Sequence, residues 1–406
     1  MKRLTTGTLI FLFLHAAAIA GGPVYTRYAI GDLIWFGGGR AIGMGGLGYA
    51  IGGDGFVNII NPAGLSGIRF TRFDGSFSFT SYSSVSSGVT APYWKAGVQN
   101  MAIGIPIDTS LGIVMSIETA PYSSVAYGVT RTLSQSGVVS TQSLFGNGGL
   151  STISLGGSVQ LFSNMSVGIK GSYLYGRTQQ YTKIDFENSS FTDDEQDRST
   201  HYAGYLVTVG SIYSLGRSLL GLSLPGDISL GFALTMPTDP STETTRSYRA
   251  LDTAIVTDGS SSIPLRVGGG MRLALDGGYS AVADVAYQDW SSVATEAPAS
   301  LRSALRVSAG FEVAPRSGQQ SYFKRMGYRF GAGYEQTYLR MNGTGIDNMF
   351  GMVGVTFPIG PSGLLNTTFT AGIRGTETGG LQKDTYLNLT VGISAGEIWF
   401  MEFTED

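Results

Sequence analysis

Cysteine is absent from the 406 residues. This excludes a disulfide scaffold, thiolate zinc sites and thiol catalysis. Histidine is nearly absent, with only His15 and His201. Charge is scarce: Asp, Glu, Lys and Arg together make 14% of the chain, against ~25% in ordinary soluble domains. Runs of eighteen or more apolar residues are also missing, so no helix is expected to span a bilayer. What is abundant is glycine, 60 residues, and aromatic side chains, including 21 Tyr and 21 Phe. The glycines follow no collagen period, and a hydrophobic content of 42% is too high for a disordered chain. A surface so poor in charge is expected to be covered in part by something other than water.

Residues 1–20 read as a secretory signal peptide. Lys2 and Arg3 form its positive end, 9–20 its apolar run, and Ala18-Ile19-Ala20 a small-residue cleavage pattern before Gly21. A run of twelve residues is too short for a membrane anchor, which needs about 20. Removing Lys2 and Arg3 takes the formal charge from −3 to −5, which argues against a nucleic-acid partner.

From about residue 69 onward one pattern repeats. Segments of roughly 10–15 residues alternate apolar and polar between turn residues, longer than ordinary strands and matched to tilted strands that cross a bilayer. Leu387, Leu389, Val391, Ile393 and Ala395 face one way, and Asn388, Thr390, Gly392 and Ser394 the other. Leu305, Val307, Ala309, Phe311 and Val313 likewise oppose Arg306, Ser308, Gly310 and Glu312. A soluble sandwich would line its exposed face with Lys and Glu. Here the polar face holds Gly, Ser, Thr and isolated charges, which suits a lumen. Fourteen such segments are read, an even number, beginning at 70 and ending at 402. The expected class is an all-β, transmembrane antiparallel β-barrel of about 14 strands. Counting from a periplasmic N-terminus, the short connections fall on the inside and the two longest, 184–200 and 238–262, outside. The first of these carries Asp185, Glu187, Asp193, Asp194, Glu195 and Asp197 against Arg198 and is read as a solvated loop.

Residues 21–68 lack alternation but carry Trp35, Phe36 and Phe56. Burying them as a plug inside the lumen is the economical solution. The domain reading is therefore signal peptide 1–20, N-terminal hatch 21–68 and barrel 69–406. Within the hatch, Asn61, Pro62 and Ala63 are expected to set a turn: Pro fixes φ and Asn bonds local backbone.

The stretch Arg40-Ala41-Ile42-Gly43-Met44-Gly45-Gly46-Leu47-Gly48, followed by Gly53-Asp54 and Asn61-Pro62-Ala63-Gly64-Leu65, resembles the hatch of FadL-type outer-membrane transporters of hydrophobic compounds and long-chain fatty acids. Ile263-Pro264-Leu265-Arg266, Asp289-Trp290, Arg329-Phe330-Gly331 and a closing Trp399-Phe400 agree with it. The resemblance implies a monomeric barrel in the bacterial outer membrane. It implies passive passage of a hydrophobic ligand from an extracellular groove to a lumenal pocket, then out through a side opening at a kink in the third strand. A similar form, the PorV-type barrel of a secretion system, handles proteins instead. The chain ends Phe403-Thr404-Glu405-Asp406, not on a terminal aromatic.

The third segment, 110–134, bears independently on the side opening. Pro121 sits in its middle, and proline is confined to strand edges, starts and bulges. Pairing with one neighbour is expected to fail around Ala120, Pro121 and Tyr122. A plain rim bulge is the structural alternative.

Other chemistry is weakly represented. Gly43-x-Gly45-x-x-Gly48 matches a dinucleotide fingerprint but lacks the preceding strand that motif requires. His201, near several carboxylates, has no nucleophile constellation beside it, so no enzyme is expected. No metal and no cofactor are expected either. The lumenal charges Arg266, Arg272, Asp284, Arg306, Glu312, Arg329, Glu335 and Arg374 are read as pairing across the barrel or to the hatch, with a substrate carboxylate as the alternative partner of any of the arginines. Trp35, Phe36 and Phe56 are the candidate ligand contacts. The function expected is passive uptake of hydrophobic, fatty-acid-like molecules, with outer-membrane lipid as surroundings. The alternative is a protein-interaction component of a secretion or surface-assembly system.

Overall fold

A computed structural model describes residues 23–397 apart from 54, 87, 136–137, 189, 220–221, 250–251, 316–320 and 361. The signal peptide, Asp54 of the hatch motif, Trp399-Phe400 and the chain end lie outside the described residues. No helix among the described residues is long and apolar enough to cross a membrane.

Fourteen antiparallel strands close on themselves. They are β1 (Thr71–Ser86), β2 (Val89–Asp108), β3 in two arms (Ile113–Pro121 and Ser123–Gln135), β4 (Val138–Phe162), β5 (Met165–Phe186) and β6 (Asp194–Leu219). They continue with β7 (Leu222–Thr235), β8 (Arg266–Leu275), β9 (Tyr279–Asp289), β10 (Ser303–Val313) and β11 (Gly327–Met341). β12 (Thr344–Ile359), β13 (Gly363–Gly375) and β14 (Lys383–Glu397) complete the wall. β14 pairs with β1 from Lys383 opposite Val85 to Glu397 opposite Thr71, which closes the ring.

The alternation read from sequence is the alternation of the wall. Phe77, Phe232, Phe311, Phe330, Phe369 and Leu387 stand exposed on the outside. Ser78, Ser308, Arg329, Thr368 and Thr390 are buried on the inside. A strand reverses side-chain direction at every residue, so one apolar row and one polar row per strand give a barrel with an oily exterior and a polar lumen.

Two expectations about connections need correction. The 184–200 segment is mostly strand: β5 runs to Phe186, β6 starts at Asp194, and Ile184 pairs with Asp194. Its acidic side chains have partners, Lys183 to Asp185 at 2.8 Å and Arg249 to Glu195 at 2.6 Å, which offsets the repulsion expected of a charged loop. The 238–262 segment is also not a loop. Its Thr-rich and β-branched residues form a hairpin, Ser241–Tyr248 with Thr253–Ser260, that adds to β6. β4, β5, β6 and this hairpin thus extend well beyond the wall at the end with the longer connections, here termed the outer end. The inner end carries the short turns, such as 163–164 and 276–278.

A further correction concerns chain direction. β1 does start at the inner end, but residues 24–27 lie at the outer end, where Tyr25 packs with Leu339, Met341, Ile346 and Leu381. The segment before β1 therefore descends through the lumen. The reason is burial: Ile30, Trp35, Leu47 and Tyr49 pack into one apolar cluster on the way down, and Phe56 into another.

The outward row makes a direct prediction. Val391→Arg, midway along the exposed row of β14, is expected to lower folding stability in bilayers by ~2–4 kcal/mol, while Thr390→Ser on the inner row changes it little. Reversible denaturant titration in lipid vesicles reads both.

Candidate functional site: a filled lumen and an interrupted wall

The lumen is filled by residues 23–68, an irregular segment with three short 3-10 turns, Val24–Arg27, Ala41–Met44 and Pro62–Gly67. Such a segment has no ladder to satisfy its backbone, so side chains must do so. Asn58, fully buried, is the hub. Its amide nitrogen donates to the carbonyls of Gly48 and Ile51 at 2.9 and 2.8 Å, and its oxygen accepts from the N–H of Ile60 and Asn61, both at 2.9 Å. Asn61 caps the last turn by accepting from Ala63 N–H at 3.1 Å, with Pro62 at the first position of that turn. Its nitrogen donates to Tyr49 O at 2.7 Å and, in β6, to Ser211 O at 3.1 Å.

Most of the lumenal charges hold this segment to the wall. The Asp284 carboxylate accepts from the N–H of Gly48 and Tyr49 at 3.1 and 3.0 Å. Glu312 binds Arg40 of the segment and Arg329 of β11. Glu335 accepts from the Trp35 indole at 2.9 Å and from Arg306 at 3.2 Å, and Arg306 also donates to Gly45 O at 3.0 Å. Arg374 pairs with Asp32 through both terminal nitrogens. The glycine fingerprint is spent in the same way: Gly48 N–H already faces a carboxylate, so no anion cradle remains there. Glycines of the wall let the segment press close. A Cβ on Gly310 would lie 2.5 Å from Met44 Cα, and one on Gly231 2.0 Å from Tyr49 O.

Arg266 and Arg272 differ from the others. Neither forms an ion pair with an acidic side chain among the described residues. The Arg266 guanidinium lies over the rings of Trp35 and Tyr122, 4.5 and 4.9 Å from their centroids, and donates to Gln288 at 3.3 Å. Its second terminal nitrogen is buried without a partner among the described residues.

Beside Arg266 the wall is interrupted. β2 pairs with β3 only from Asp108 opposite Ile113 to Met101 opposite Thr119. Beyond that, residues 89–100 of β2 have β1 as their sole strand partner among the described residues. Past Pro121, β3 keeps β4 on one side. On its other side it takes the two-residue strand Asp32–Leu33 of the lumenal segment. Tyr122 marks the change: its N–H donates to Leu150 O at 2.7 Å and its carbonyl accepts from Ile34 N–H at 3.0 Å. In a regular strand both groups of one residue point to the same neighbour, so the chain twists here. In β4, Gly149 at φ 139° faces the bend, and a Cβ there would lie 2.3 Å from Ser123 O. Across the interruption Lys95 Nζ donates to Ser124 Oγ at 2.6 Å.

Two lumenal cavities flank the run Ile34, Trp35 and Phe36. One, of about 230 Å³, includes Tyr25, Asp32, Lys95, Glu335 and Arg374 in its lining. The other, of about 100 Å³, is bounded by Ala120, Pro121, Tyr122, Leu206, Ala233 and Arg266, together with the paired Glu118 and Lys170 and the hydroxyl residues Thr152, Ser172, Thr208 and Thr235. Trp35 and Phe36 line both. Phe56 lines neither; it is fully buried with Ala41, Met44, Ile51 and Val282. His201 stands exposed on the outer extension of β6, opposite Arg177 and Glu243.

Sequence reasoning did not single out three of these residues. Asn58 was hidden in the apolar run Val57-Asn58-Ile59-Ile60, where a lone amide among aliphatics was the available signal. Pro92 lies in the stretch of β2 that lacks a second neighbour, where a proline without N–H is tolerated. Gly149 belongs to Gly146-Asn147-Gly148-Gly149, a cluster that signals a bend.

This architecture defines a transmembrane β-barrel whose lumen is occupied by its own N-terminal segment. Within that class, the chain belongs to the BamG family, whose model matches residues 1–403. No curated protein sequence matches it. Among solved structures it is similar to the Pseudomonas putida toluene transporter TodX, with a TM-score of 0.60 and 14% identity over 91% of this chain and 100% of that one. It is similar as well to a Pseudomonas aeruginosa FadL homologue, TM-score 0.60 and 12% identity over 90% and 98%. A third is the Ralstonia pickettii toluene transporter TbuX, TM-score 0.57 and 14% identity over 89% and 98%. The FadL-type resemblance thus holds at the level of the fold, and the family model carries the name BamG.

Asn58→Ala is expected to leave two carbonyls and two N–H groups of the lumenal segment unpaired and to lower stability by about 1–3 kcal/mol. Denaturant titration measures that loss, and hydrogen exchange is expected to accelerate in residues 48–61 before it does in the strands.

Proposed function

We propose that this protein is a bacterial outer-membrane channel for passive uptake of hydrophobic, fatty-acid-like molecules. In this reading it acts as a monomer, residues 21–68 are its hatch, and the interruption beside Ala120, Pro121 and Tyr122 is its lateral exit into lipid. The observation that carries the reading is a coincidence of place. The aromatic-lined cavity of the lumen ends where β3 parts from β2. The printed descriptions of TodX and TbuX as toluene transporters support the reading through the shared fold.

The mechanism needs no energy source. A ligand entering from the outer end exchanges water for the rings of Trp35, Phe36 and Tyr122, a gain of about 25 cal/mol per Å² of apolar surface. It then leaves sideways into hydrocarbon, where the same surface stays out of water. The aliphatic and aromatic walls carry the tail. Arg266, which has no acidic partner among the described residues, is the proposed contact for a carboxylate.

A second reading, a barrel that serves a secretion or surface-assembly system, is favoured by a different observation. On the outer wall an apolar groove of about 380 Å³ is bounded by Phe79, Val353, Phe369, Leu387 and Leu389 over Gly351 and Ala371. A hydrophobic partner in the membrane would fit it.

Liposomes carrying the protein are expected to take up labelled oleate faster than empty liposomes, and equal rates would overturn the uptake reading. Arg266→Leu is expected to weaken oleate uptake several-fold and to leave toluene uptake unchanged. Equal effects on both ligands would remove the carboxylate from the account.

A further inference from the structure

Above the lumenal segment, at the outer end, lies a cavity of about 430 Å³ whose chemistry differs from that of the inner two. Strand register sets its wall. Thr178 of β5, Thr200 of β6 and Thr244 of the added hairpin are paired in one row, and all three line the cavity. The hydroxyls of Thr200 and Thr244 are 3.0 Å apart. Neighbouring strands lie about 4.8 Å apart, so the row presents hydroxyls at regular intervals. Aromatic side chains also bound the cavity. Trp290 is fully buried, its ring 5.0 Å from that of Tyr338, and its indole N–H has no acceptor among the described residues. Tyr28 and Tyr202 also line the cavity.

Charge in this cavity is low. Arg198 is paired with Glu296 at the mouth, and the Arg27 guanidinium lies 6.0 Å from the centre of the Tyr28 ring. A row of hydroxyls beside half-buried aromatic rings, whose spare donor and acceptor positions a hydrocarbon would leave unfilled, does not match a hydrocarbon. It matches a ligand with hydroxyls around its rim and an apolar C–H face, which describes a pyranose.

We propose that this outer cavity is a saccharide-binding site, distinct from the lumenal route. Thr200 and Thr244 bond the hydroxyls of the sugar, and the half-buried rings of Tyr28 and Tyr202 pack its C–H face. Such a sugar reaches the cavity either as a free oligosaccharide or as the head of a surface glycolipid.

Isothermal titration calorimetry of the full-length protein in lauryldimethylamine oxide, a detergent without sugar, tests the proposal. One arm titrates maltotetraose and cellotetraose; the other titrates purified lipopolysaccharide. The paired variant Thr200→Val with Thr244→Val exchanges hydroxyl for methyl at nearly constant volume. Heat-modifiable migration on gels checks that it folds. Saturable binding in at least one arm, weakened tenfold or more in the variant, is the expected result. Binding of the free sugars assigns a free saccharide, and binding of lipopolysaccharide alone assigns the lipid-anchored source. No binding in either arm, or equal binding by the folded variant, would overturn the proposal. Oleate uptake is read separately, so its failure leaves this result standing.

Discussion

Inside a bilayer a backbone N–H or C=O without a partner costs several kcal/mol, and this constraint organises the whole molecule. It forces the strands into a ring, and β14 closes on β1 over their full shared length to leave no edge. It also limits where the ring can be broken. The one long lapse among the described residues, along 89–100 of β2, runs toward the outer rim, where Trp94 stands exposed. There the lapse is softened. Pro92 has no N–H to leave bare, Lys95 reaches Ser124, and the freed side of β3 is taken by Asp32–Leu33 from within. The interruption in strand pairing and the ordered lumenal segment are therefore linked: Asp32–Leu33 pairs with Ser123 and Ser124 on the side of β3 that β2 leaves.

The same constraint explains the lumenal charges. A ring of this size encloses more space than its small inner side chains fill, and the irregular segment inside it has polar groups to satisfy. Asp284, Glu312, Glu335, Arg306 and Arg374 do this by bonding backbone N–H groups, a carbonyl, charged partners or the Trp35 indole on the segment. A charge used in this way is unavailable to a ligand. That leaves Arg266 and Arg272 distinctive, and only Arg266 sits between aromatic rings at the interruption.

The strands were legible because their signal is local. A period of two over ten or more residues, as in Leu387 to Ile393, survives without knowledge of any neighbour. The outer extensions were not legible, because their residues face water on both sides and so do not alternate; Thr242 to Tyr248 looks like a polar loop until it is seen paired with β6. In the site, Pro121 was legible because a missing donor is a property of the residue itself, and it lies just past the last β2–β3 pair, Met101 with Thr119. What replaced the lost partner was not readable. That Asp32 and Leu33 fill the place depends on the path of a segment with no periodicity. The distinction between committed and free arginines was equally hidden, because it depends on contacts across hundreds of residues.

The central claim is that ligand leaves through the wall between β2 and the second arm of β3. The absence of native cysteine allows a direct measurement. Lys95→Cys with Ser124→Cys, joined by a short reducible cross-linker across the interruption, is to be reconstituted in liposomes and assayed for uptake of labelled oleate before and after reduction. The account predicts that uptake is lost on cross-linking and returns on reduction. Uptake that is unaffected by the cross-link would contradict it.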